Sequence, residues 1–297
     1  MRAWWLLLFC LLCAPAPAAV PEIPRFRLLG AGDGLPSTTI PALARDRAGH
    51  LWVATWDGLA RYDGVGFKVW RHDPADPTSL PGNVVQALHI DAADRIWVGT
   101  ESGGLSMMDV DRRGFRHYRK ADHPGMGSDD VFAIASRGDD VWFGTFGGGL
   151  HRLAADARIT RFAAATEGTD GLPSDNVLSL AFDAKGVLWI GTMGGLARYE
   201  GGQLRRLALP GGDGLIIYSV TADANTVWVG ASDGVHRWSP EGGWMSPPWS
   251  PMFARPNALI AMTSDGQGEY WLASQGGLWR TEGDHAPAPV NYDTQSV

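Results

Sequence analysis

Cysteine is almost absent from this chain of 297 residues. Its two cysteines, Cys10 and Cys13, both lie in the first 13 positions. A chain that has lost this N-terminal segment contains no thiol, which excludes disulfide bonds and cysteine chemistry. A fold of this length needs no disulfide, because its apolar core can be large. The sequence therefore predicts a protein held together by packing.

Basic charge is also scarce. The chain has 25 Lys and Arg against 32 Asp and Glu, giving a formal net charge of −7, and the basic residues form no block. Binding to phosphate backbones needs a basic footprint. The composition therefore excludes nucleic acid as an expected partner.

No apolar run is long enough to span a membrane stably. The longest, from Ala3 to Leu12, follows Met1-Arg2 and precedes small and proline residues that end at Ala19. A charged start, a short apolar stretch and an A-x-A site are typical of a cleaved secretory signal. We predict a signal peptide over residues 1–18 and a mature, periplasmic chain over residues 19–297. An uncleaved anchor is the alternative.

What the sequence does contain is a tryptophan repeat. Successive tryptophans at 52, 97, 142, 189, 228 and 271 are 45, 45, 47, 39 and 43 residues apart. This is a propeller-blade period, and the amphipathic helices of a helical solenoid are missing. The six aligned segments are Leu51-Trp52-Val53-Ala54-Thr55, Ile96-Trp97-Val98-Gly99-Thr100, Val141-Trp142-Phe143-Gly144-Thr145, Leu188-Trp189-Ile190-Gly191-Thr192, Val227-Trp228-Val229-Gly230-Ala231 and Tyr270-Trp271-Leu272-Ala273-Ser274.

Each repeat divides into four strands separated by turn residues. In the fourth repeat these are 177–182, 187–192, 196–199 and 203–207. The fold class is therefore all-β, a β-propeller with six recognisable four-stranded blades. Each Trp is expected to pack against the neighbouring blade, and the Gly or Ala two residues later to leave room near the crowded axis. An Arg recurs in the third strand, where we expect it to pair across strands; its positions are Arg61, Arg152, Arg198, Arg237 and Arg280.

The sequence leaves the closure of the ring open. Phe26-Arg27-Leu28-Leu29 is similar to the fourth-strand pattern Phe115-Arg116-His117-Tyr118, which predicts that the N-terminus completes the last blade. The tail from Pro287 to Val297 has the pattern of an outer strand leading into another repeat. The chain is thus either a six-bladed ring or an incomplete seven-bladed one, and we expect it to be truncated at its C-terminus.

Two segments carry a family resemblance. Gly34-Leu35-Pro36-Ser37 and Gly171-Leu172-Pro173-Ser174, each followed by a D-x-x-G-x-L-W run and a T-x-x-G-L-x-R-Y run with one Gly inserted or lost, resemble the two-component regulator propeller repeat. The copy that runs from Gly171 to Tyr199 resembles it most. The resemblance extends over nearly all of the mature chain.

This resemblance implies a periplasmic sensory region of a bacterial two-component or cyclic-di-GMP signalling protein. Such regions commonly sense carbohydrates, and a membrane helix and a kinase or cyclase output follow them. None of these later parts is in this sequence, so any membrane attachment or catalytic output would lie in a missing C-terminal region. The chain also departs from the family in its fewer repeats and in Ala231 and Ser274, where Thr is usual.

The predicted ligand site is the face formed by the turns between second and third strands and by the loops entering the inner strands. Carboxylates, amides and aromatic rings that converge there suit a small polar ligand or an oligosaccharide. The expected ligand-binding residues are Trp56, Asp57, Asn83, Glu101, Asp130, Phe146, Asn176, Met193, Tyr218, Asp233, Asn257 and Gln275.

Catalysis is not expected from this chain. It has no nucleophile-elbow Ser, no H-E-x-x-H and no phosphate loop with its Lys, and we expect no cofactor and no metal. His151 and His236 share one strand-three position, but in blades that are not adjacent.

Two alternatives remain open. One is a streptogramin-lyase-like propeller enzyme with His89, His117, His151 or His236 at the ring mouth. The other is a protein–protein scaffold, or a dimer through the propeller faces, in which the apolar segment from Gly243 to Phe253 is a docking loop.

Overall fold

The computed structural model describes residues 27–166, 169–223, 225–265 and 268–290. Leu29–Val290 form one unit, and all the strands belong to it. The predicted signal peptide lies outside the described residues. The helical segments in the described part of the chain are Ala31–Asp33 and Ser250–Phe253, and neither has the length or apolar character needed to cross a membrane.

Six sheets of four antiparallel strands follow one another along the chain, and in each sheet the strands are in sequence order. This confirms the predicted six-bladed all-β propeller. The first blade consists of β1 (Ala42–Arg45), β2 (Leu51–Thr55), β3 (Gly58–Tyr62) and β4 (Phe67–Trp70), the second of β5 (Val85–Ile90), β6 (Ile96–Thr100), β7 (Gly104–Met108) and β8 (Phe115–Tyr118), and the third of β9 (Val131–Arg137), β10 (Asp140–Thr145), β11 (Gly149–Leu153) and β12 (Ile159–Phe162). The fourth blade consists of β13 (Val177–Phe182), β14 (Leu188–Thr192), β15 (Gly195–Glu200) and β16 (Gln203–Leu207), the fifth of β17 (Ile217–Ala222), β18 (Val227–Ala231), β19 (Gly234–Ser239) and β20 (Gly243–Met245), and the sixth of β21 (Leu259–Ser264), β22 (Glu269–Ser274), β23 (Gly277–Glu282) and β24 (Ala288–Pro289).

The second-strand tryptophan of each of the first five blades packs against the next blade. Trp52 shares an apolar cluster with Ile96, Val98 and Met108 of the second blade. Every blade thus has two different faces. One presents Trp to the blade that follows, and the other presents aliphatic side chains to the blade that precedes.

The recurring arginine lies directly opposite the tryptophan. Trp228 pairs with Arg237 in the antiparallel register, and the guanidinium carbon of Arg237 is 5.6 Å from the indole centroid. The predicted cross-strand pairing is therefore confirmed, and in the first, third, fifth and sixth blades it is a cation–π contact with a guanidinium-to-indole distance of 5.6–5.9 Å. In the second blade Met107 takes the Arg position, and Arg95 lies 5.6 Å from the Trp97 ring instead.

The glycine two residues after the tryptophan makes room for the next inner strand. A Cβ added at Gly99 would lie 2.6 Å from the Val131 carbonyl oxygen and 2.7 Å from Val131 Cγ1. The same close approach occurs between Gly191 and Ile217, where a Cβ would lie 2.8 Å from Cγ2. The alternation of large and small residues along the second strand therefore sets the spacing between blades.

The inner strands pack in chain order from β1 through β5, β9, β13 and β17 to β21. No comparable packing joins β21 to β1 within the described residues. We call the boundary between the second-strand Trp face of the sixth blade (β21–β23) and the opposite face of the first blade (β1–β3) the seam.

The fourth strand of the sixth blade comes from the C-terminal side of the chain. β24 pairs with β23 through Trp279–Pro289 and Arg280–Ala288. The expectation that Phe26–Leu29 would complete this blade is therefore wrong; Arg27, Leu28 and Leu29 belong to no strand, and Phe26 lies outside the described residues. Pairing to the adjacent β23 needs only a short turn and so closes a smaller loop than a return of the N-terminus would.

Gly99→Ala is expected to destabilise the protein. The added methyl would collide with the Val131 backbone, and overpacking of this kind costs about 1–3 kcal/mol. Gly66→Ala is the matched control, because a Cβ there meets nothing within 4 Å. Urea unfolding should show a lower free energy of unfolding for Gly99→Ala only. Equal stability of the two variants would contradict the spacing role.

Candidate functional site

The two predicted sets of loops lie side by side on one face of the propeller. The backbone N–H of Glu101, in the turn after β6, donates to the Val84 carbonyl at the entrance to β5, at 3.0 Å. Phe146 N–H makes the same bond to the Asp130 carbonyl at 2.9 Å. Trp56, Met193 and Ser232 repeat the pattern with their own blades' entering loops. We call this surface, made of the turns after β2, β6, β10, β14, β18 and β22 and of the loops into the inner strands, the loop face.

Three of the predicted residues expose apolar side chains on the loop face. Trp56 is 57% exposed, Phe146 43% and Met193 37%. The Phe146 ring lies 5.8 Å from that of Phe132. These side chains, from the first, third and fourth blades, are available to stack on a ligand.

Acidic and amide groups lie between the second and third blades. Burial, followed by the charge of Glu101, raises the pKa of Asp130 above its ordinary value. Asp130 Oδ1 and Gln86 Oε1 are enclosed and have no hydrogen-bond donor among the described residues. Buried acceptors are normally satisfied. Because both oxygens are enclosed, they are not exposed for contact with a ligand.

The three predicted asparagines are already engaged with backbone. Asn83 Oδ1 accepts the His72 N–H at 2.7 Å, and Asn176 Oδ1 accepts the Gly147 N–H at 2.7 Å. Asn257 holds the turn after β22 in the same way. The structure thus places them on the loop face as residues that fix its loops.

Two of the predicted aspartates are paired within the protein. Asp57 Oδ2 lies 3.0 Å from Arg71 Nη2, and both side chains are about half exposed. Asp233 Oδ1 lies 2.9 Å from Nε2 of the buried His236. Because exposed ion pairs contribute little stability, Asp57 can exchange its partner for a ligand at small cost.

Tyr218 and Gln275 line a cavity of about 490 Å³ together with Arg255, Pro256 and Ala258. The Arg255 guanidinium carbon lies 5.6 Å from the Tyr218 ring centroid, and its Nε–H donates to the Tyr218 hydroxyl. No carboxylate pairs with Arg255 among the described residues. Sequence reasoning missed Arg255; its position directly before Pro256, at the entrance to an inner strand, was the available signal.

A second cavity of about 930 Å³ opens beside Gly194, next to the predicted Met193. None of its lining residues was predicted. They are Ala165, Thr169, Asp170, Pro173, Gly194, Arg206, Ala208, Asp213 and Gly214. Both cavities are lined by one arginine together with small apolar residues, and the larger one also contains the carboxylates of Asp170 and Asp213.

The four histidines of the lyase alternative are bonded within the blades. His89 Nε2 contacts Ser136 Oγ at 2.8 Å, and His117 Nδ1 contacts Ser106 Oγ at 2.9 Å. His151 and His236 are buried at 0% and 2% exposure. Among the described residues, no group of three or more His, Cys, Asp or Glu side chains is placed to hold a metal ion.

Of these four histidines, His151 has the pKa that lies furthest from its ordinary value. Its Nε2 accepts the Gly127 N–H at 2.9 Å, and its ring stacks on Phe143 at 4.8 Å. Burial, reinforced by the charge of Arg161, lowers the pKa of His151 to about 4. This histidine is therefore neutral in the folded protein at physiological pH.

The apolar segment from Gly243 to Phe253 packs onto the propeller. Trp249 and Phe253 are 5% and 0% exposed. Trp249 stacks on Trp228 at 6.0 Å, and Phe253 meets Trp279 edge-on at 5.7 Å. These two anchors belong to the core, and the large hydrophobic side chains that the segment leaves exposed are Met245 and Met252, at 41% each.

Comparison with known proteins gives a consistent set of relatives. The family model described as "Two component regulator propeller" matches residues 34–57, 79–102 and 171–194. Histidine kinase P4 of Formosa agariphila is 44% identical over 48 residues, which are 16% of this chain and 4% of that protein.

Solved structures share the fold. The extracellular domain of the hybrid two component system BT4673 from B. thetaiotaomicron is 20% identical with a TM-score of 0.72, over 89% of this chain and 34% of that one. The chain thus spans about a third of that domain. Virginiamycin B lyase from Staphylococcus aureus is 16% identical with a TM-score of 0.63, over 81% of this chain and 80% of the lyase.

The stability of the protein is expected to fall as the pH drops from 6.5 towards 4, in part because of His151. Over this interval the His151 side chain takes up a proton in the unfolded chain but not in the folded protein. This difference lowers the free energy of unfolding by about 3 kcal/mol. His151→Gln keeps an acceptor for Gly127 and should lose this part of the pH dependence.

Urea unfolding at a series of pH values measures the slope. His285→Gln, at an exposed position, is the control and should keep the wild-type slope. Parallel pH profiles for wild type and His151→Gln would show that His151 is not held neutral.

Proposed function

Because its first, second and fourth repeats match the two component regulator propeller family, we propose that this chain is the ligand-binding sensory part of an exported bacterial signal-transduction protein. Its loop face binds an oligosaccharide or another small polar ligand. The observation that carries the proposal is the set of equivalent turn positions on one face, where exposed Trp56, Phe146 and Met193 lie among polar residues.

The chemistry of the loop face suits a polyhydroxylated ligand. Sugar rings have apolar faces that stack on aromatic side chains, and their hydroxyl groups need nearby acceptors and donors. Phe146 provides an exposed ring, and Arg255 and Tyr218 provide donors and a second ring.

An exported location is supported by the relatives, since the BT4673 structure is an extracellular domain. The signal peptide predicted at residues 1–18 and a periplasmic destination agree with it. Output by a kinase or cyclase is proposed to lie in polypeptide outside these 297 residues.

Binding is favoured over the lyase alternative by the positions of the histidines. A lyase site needs a His and a general base that face a substrate. His151 and His236 are buried, and His89 and His117 are bonded to serine side chains. Similarity of fold to virginiamycin B lyase does not carry its activity to this chain.

Titration calorimetry of the protein with a panel of neutral and acidic oligosaccharides tests the proposal. Phe146→Ala should weaken binding about tenfold, or about 1.4 kcal/mol, through loss of one stacking surface. Val65→Ala is the matched control: Val65 is 91% exposed but lies in the β3–β4 turn on the opposite face.

The control should bind like wild type. A complete absence of heat across the panel would count against a carbohydrate ligand. Equal losses for the two variants would count against the loop face as the site.

A further inference from the structure

Arg255 is a cation on the loop face whose charge the protein does not neutralise. The residue is exposed, and its guanidinium group has no carboxylate partner in the part of the chain that the structure describes. Arg71 on the same face is different, because its Nη2 lies 3.0 Å from Asp57 Oδ2. An arginine without a carboxylate partner at the edge of a cavity is suited to an anion from outside the protein.

The side chain of Arg255 is nevertheless held in one position. Its Nε–H donates to the Tyr218 hydroxyl, and its guanidinium carbon lies 5.6 Å from the centroid of the Tyr218 ring. Tyr218 therefore fixes the Nε side of the guanidinium group. The two Nη groups form no hydrogen bond to any described residue, so their N–H donors are available to a ligand.

The backbone around Arg255 is fixed as well. Arg255 N–H donates to the Ser232 carbonyl at 3.1 Å, which joins the loop into the sixth blade to the turn of the fifth. Asn257 Nδ2 donates to the Met252 carbonyl at 2.7 Å, and Asn257 Oδ1 accepts the Gly276 N–H at 2.6 Å. A cation that is already ordered loses little conformational freedom when it binds, which favours affinity.

The fold does not need a cation at this position. Arg255 stands four residues before the first residue of its inner strand, Leu259. The residues at the same place before the inner strands of the second to fifth blades are Pro81, Gly127, Pro173 and Asp213. None of these is basic, although their blades have the same four-stranded arrangement. The positive charge is therefore specific to the sixth blade.

Tyr218 owes its position to an irregularity in the fifth blade. The register of β17 against β18 shifts between Ile217 and Ser219, so that Tyr218 has no partner in the ladder. Bulges of this kind redirect a side chain and are common beside binding sites. The residues that follow the first residue of the other inner strands in the second to sixth blades are Gln86, Phe132, Leu178 and Ile260, so a tyrosine is not required there either.

The cavity of about 490 Å³ that these two residues line has a lining suited to an anionic ring. We call it the Arg255 cavity. Its volume lies within the usual range of small-molecule sites. Gln275 adds an amide, and Pro256 and Ala258 add small apolar surfaces. No acidic residue is among its lining residues, and the acidic Glu101 and Asp130 belong to the second and third blades.

We propose that the Arg255 cavity binds the carboxylate of an acidic sugar, a uronic acid; this inference rests on the proposed function, because the sugar is part of the ligand of the loop face. The Nη groups of Arg255 donate to the carboxylate, whose two oxygens match the planar guanidinium fork. The Tyr218 ring and the Gln275 amide contact the apolar and hydroxyl-bearing parts of the sugar. The cavity thus selects acidic over neutral saccharides.

Saturation-transfer NMR titrations of the 297-residue chain with D-glucuronate and D-galacturonate test this selectivity. The methyl ester of each sugar is its neutral partner, which has the same ring and hydroxyl groups. The wild type should bind each acid about tenfold more tightly than its ester, through charge-assisted hydrogen bonds that the ester cannot form, and added NaCl should reduce this preference.

Arg255→Gln should lower the affinity for the acids to that for the esters and leave the esters unchanged. Arg113→Gln is the matched control, because the Arg113 side chain is 86% exposed in the β7–β8 turn on the opposite face, and it should keep the wild-type preference. If Arg255→Gln lowers the Tm, Tyr218→Phe replaces it. This variant keeps the ring, removes the hydroxyl that holds Nε, and should also reduce the preference.

Three results would overturn the proposal. They are equal binding of acid and ester by the wild type, an unchanged preference in Arg255→Gln, and an equal loss of preference in Arg113→Gln. The oligosaccharide titrations with Phe146→Ala report on the proposed function separately. If neutral oligosaccharides bind and Phe146→Ala weakens them while the acid preference is missing, the proposed function stands and the uronate site fails. If Arg255→Gln removes the preference but Phe146→Ala changes no binding, the uronate site stands without the wider loop face.

Discussion

The packing of one tryptophan per blade against the next blade is the interaction on which the rest of the structure depends. The surroundings of Trp97 show all the contacts of this tryptophan. The indole is buried, its Nε1–H donates to Asp91 Oδ2 at 2.8 Å, and Arg95 lies over the ring. Burial alone would raise the pKa of Asp91, but hydrogen bonds from the Trp97 indole and the Arg95 backbone outweigh it, so that the pKa is lowered. The carboxylate therefore stays charged and fixes the turn before the second strand while the ring fixes the neighbouring blade.

This requirement explains how much of the fold the sequence predicts. A Trp followed by a small residue at a period near 45 is needed wherever blades pack side by side, so the repeat specifies the number of blades and the position of the second strand. The register of Arg237 against Trp228 follows from the same spacing. The tail from Pro287, which has an outer-strand pattern, contains the outer strand of the sixth blade, whereas the similar pattern at Phe26–Leu29 wrongly predicts that the N-terminus supplies it. Outer strands bury little and their pattern is weak. β24 contains only Ala288 and Pro289, both exposed.

The candidate site is less predictable for a different physical reason. Turn positions such as Trp56 and Phe146 are fixed by the strand before them, so their place on one face can be read from the repeat. The role of an individual side chain depends on which loop lies beside it. The sequence does not show that Asn83 holds His72, or that Arg255 lies over Tyr218. Loops between blades vary in length, and their contacts are tertiary.

Within each blade, the groups that hold the turn after the second strand are separate from the side chain that the turn exposes. This separation shows where binding specificity can reside. In the turn after the second strand, Thr192 Oγ1 donates to the Gly195 carbonyl at 2.7 Å, and Met193 is held to the entering loop through its backbone N–H. These bonds do not involve the Met193 side chain. Any side chain compatible with the turn can therefore occupy that position without disturbing the core. The six residues found there, Trp56, Glu101, Phe146, Met193, Ser232 and Gln275, differ in size, charge and aromaticity. Because the scaffold tolerates all of them, this position can vary in chemistry without loss of the fold.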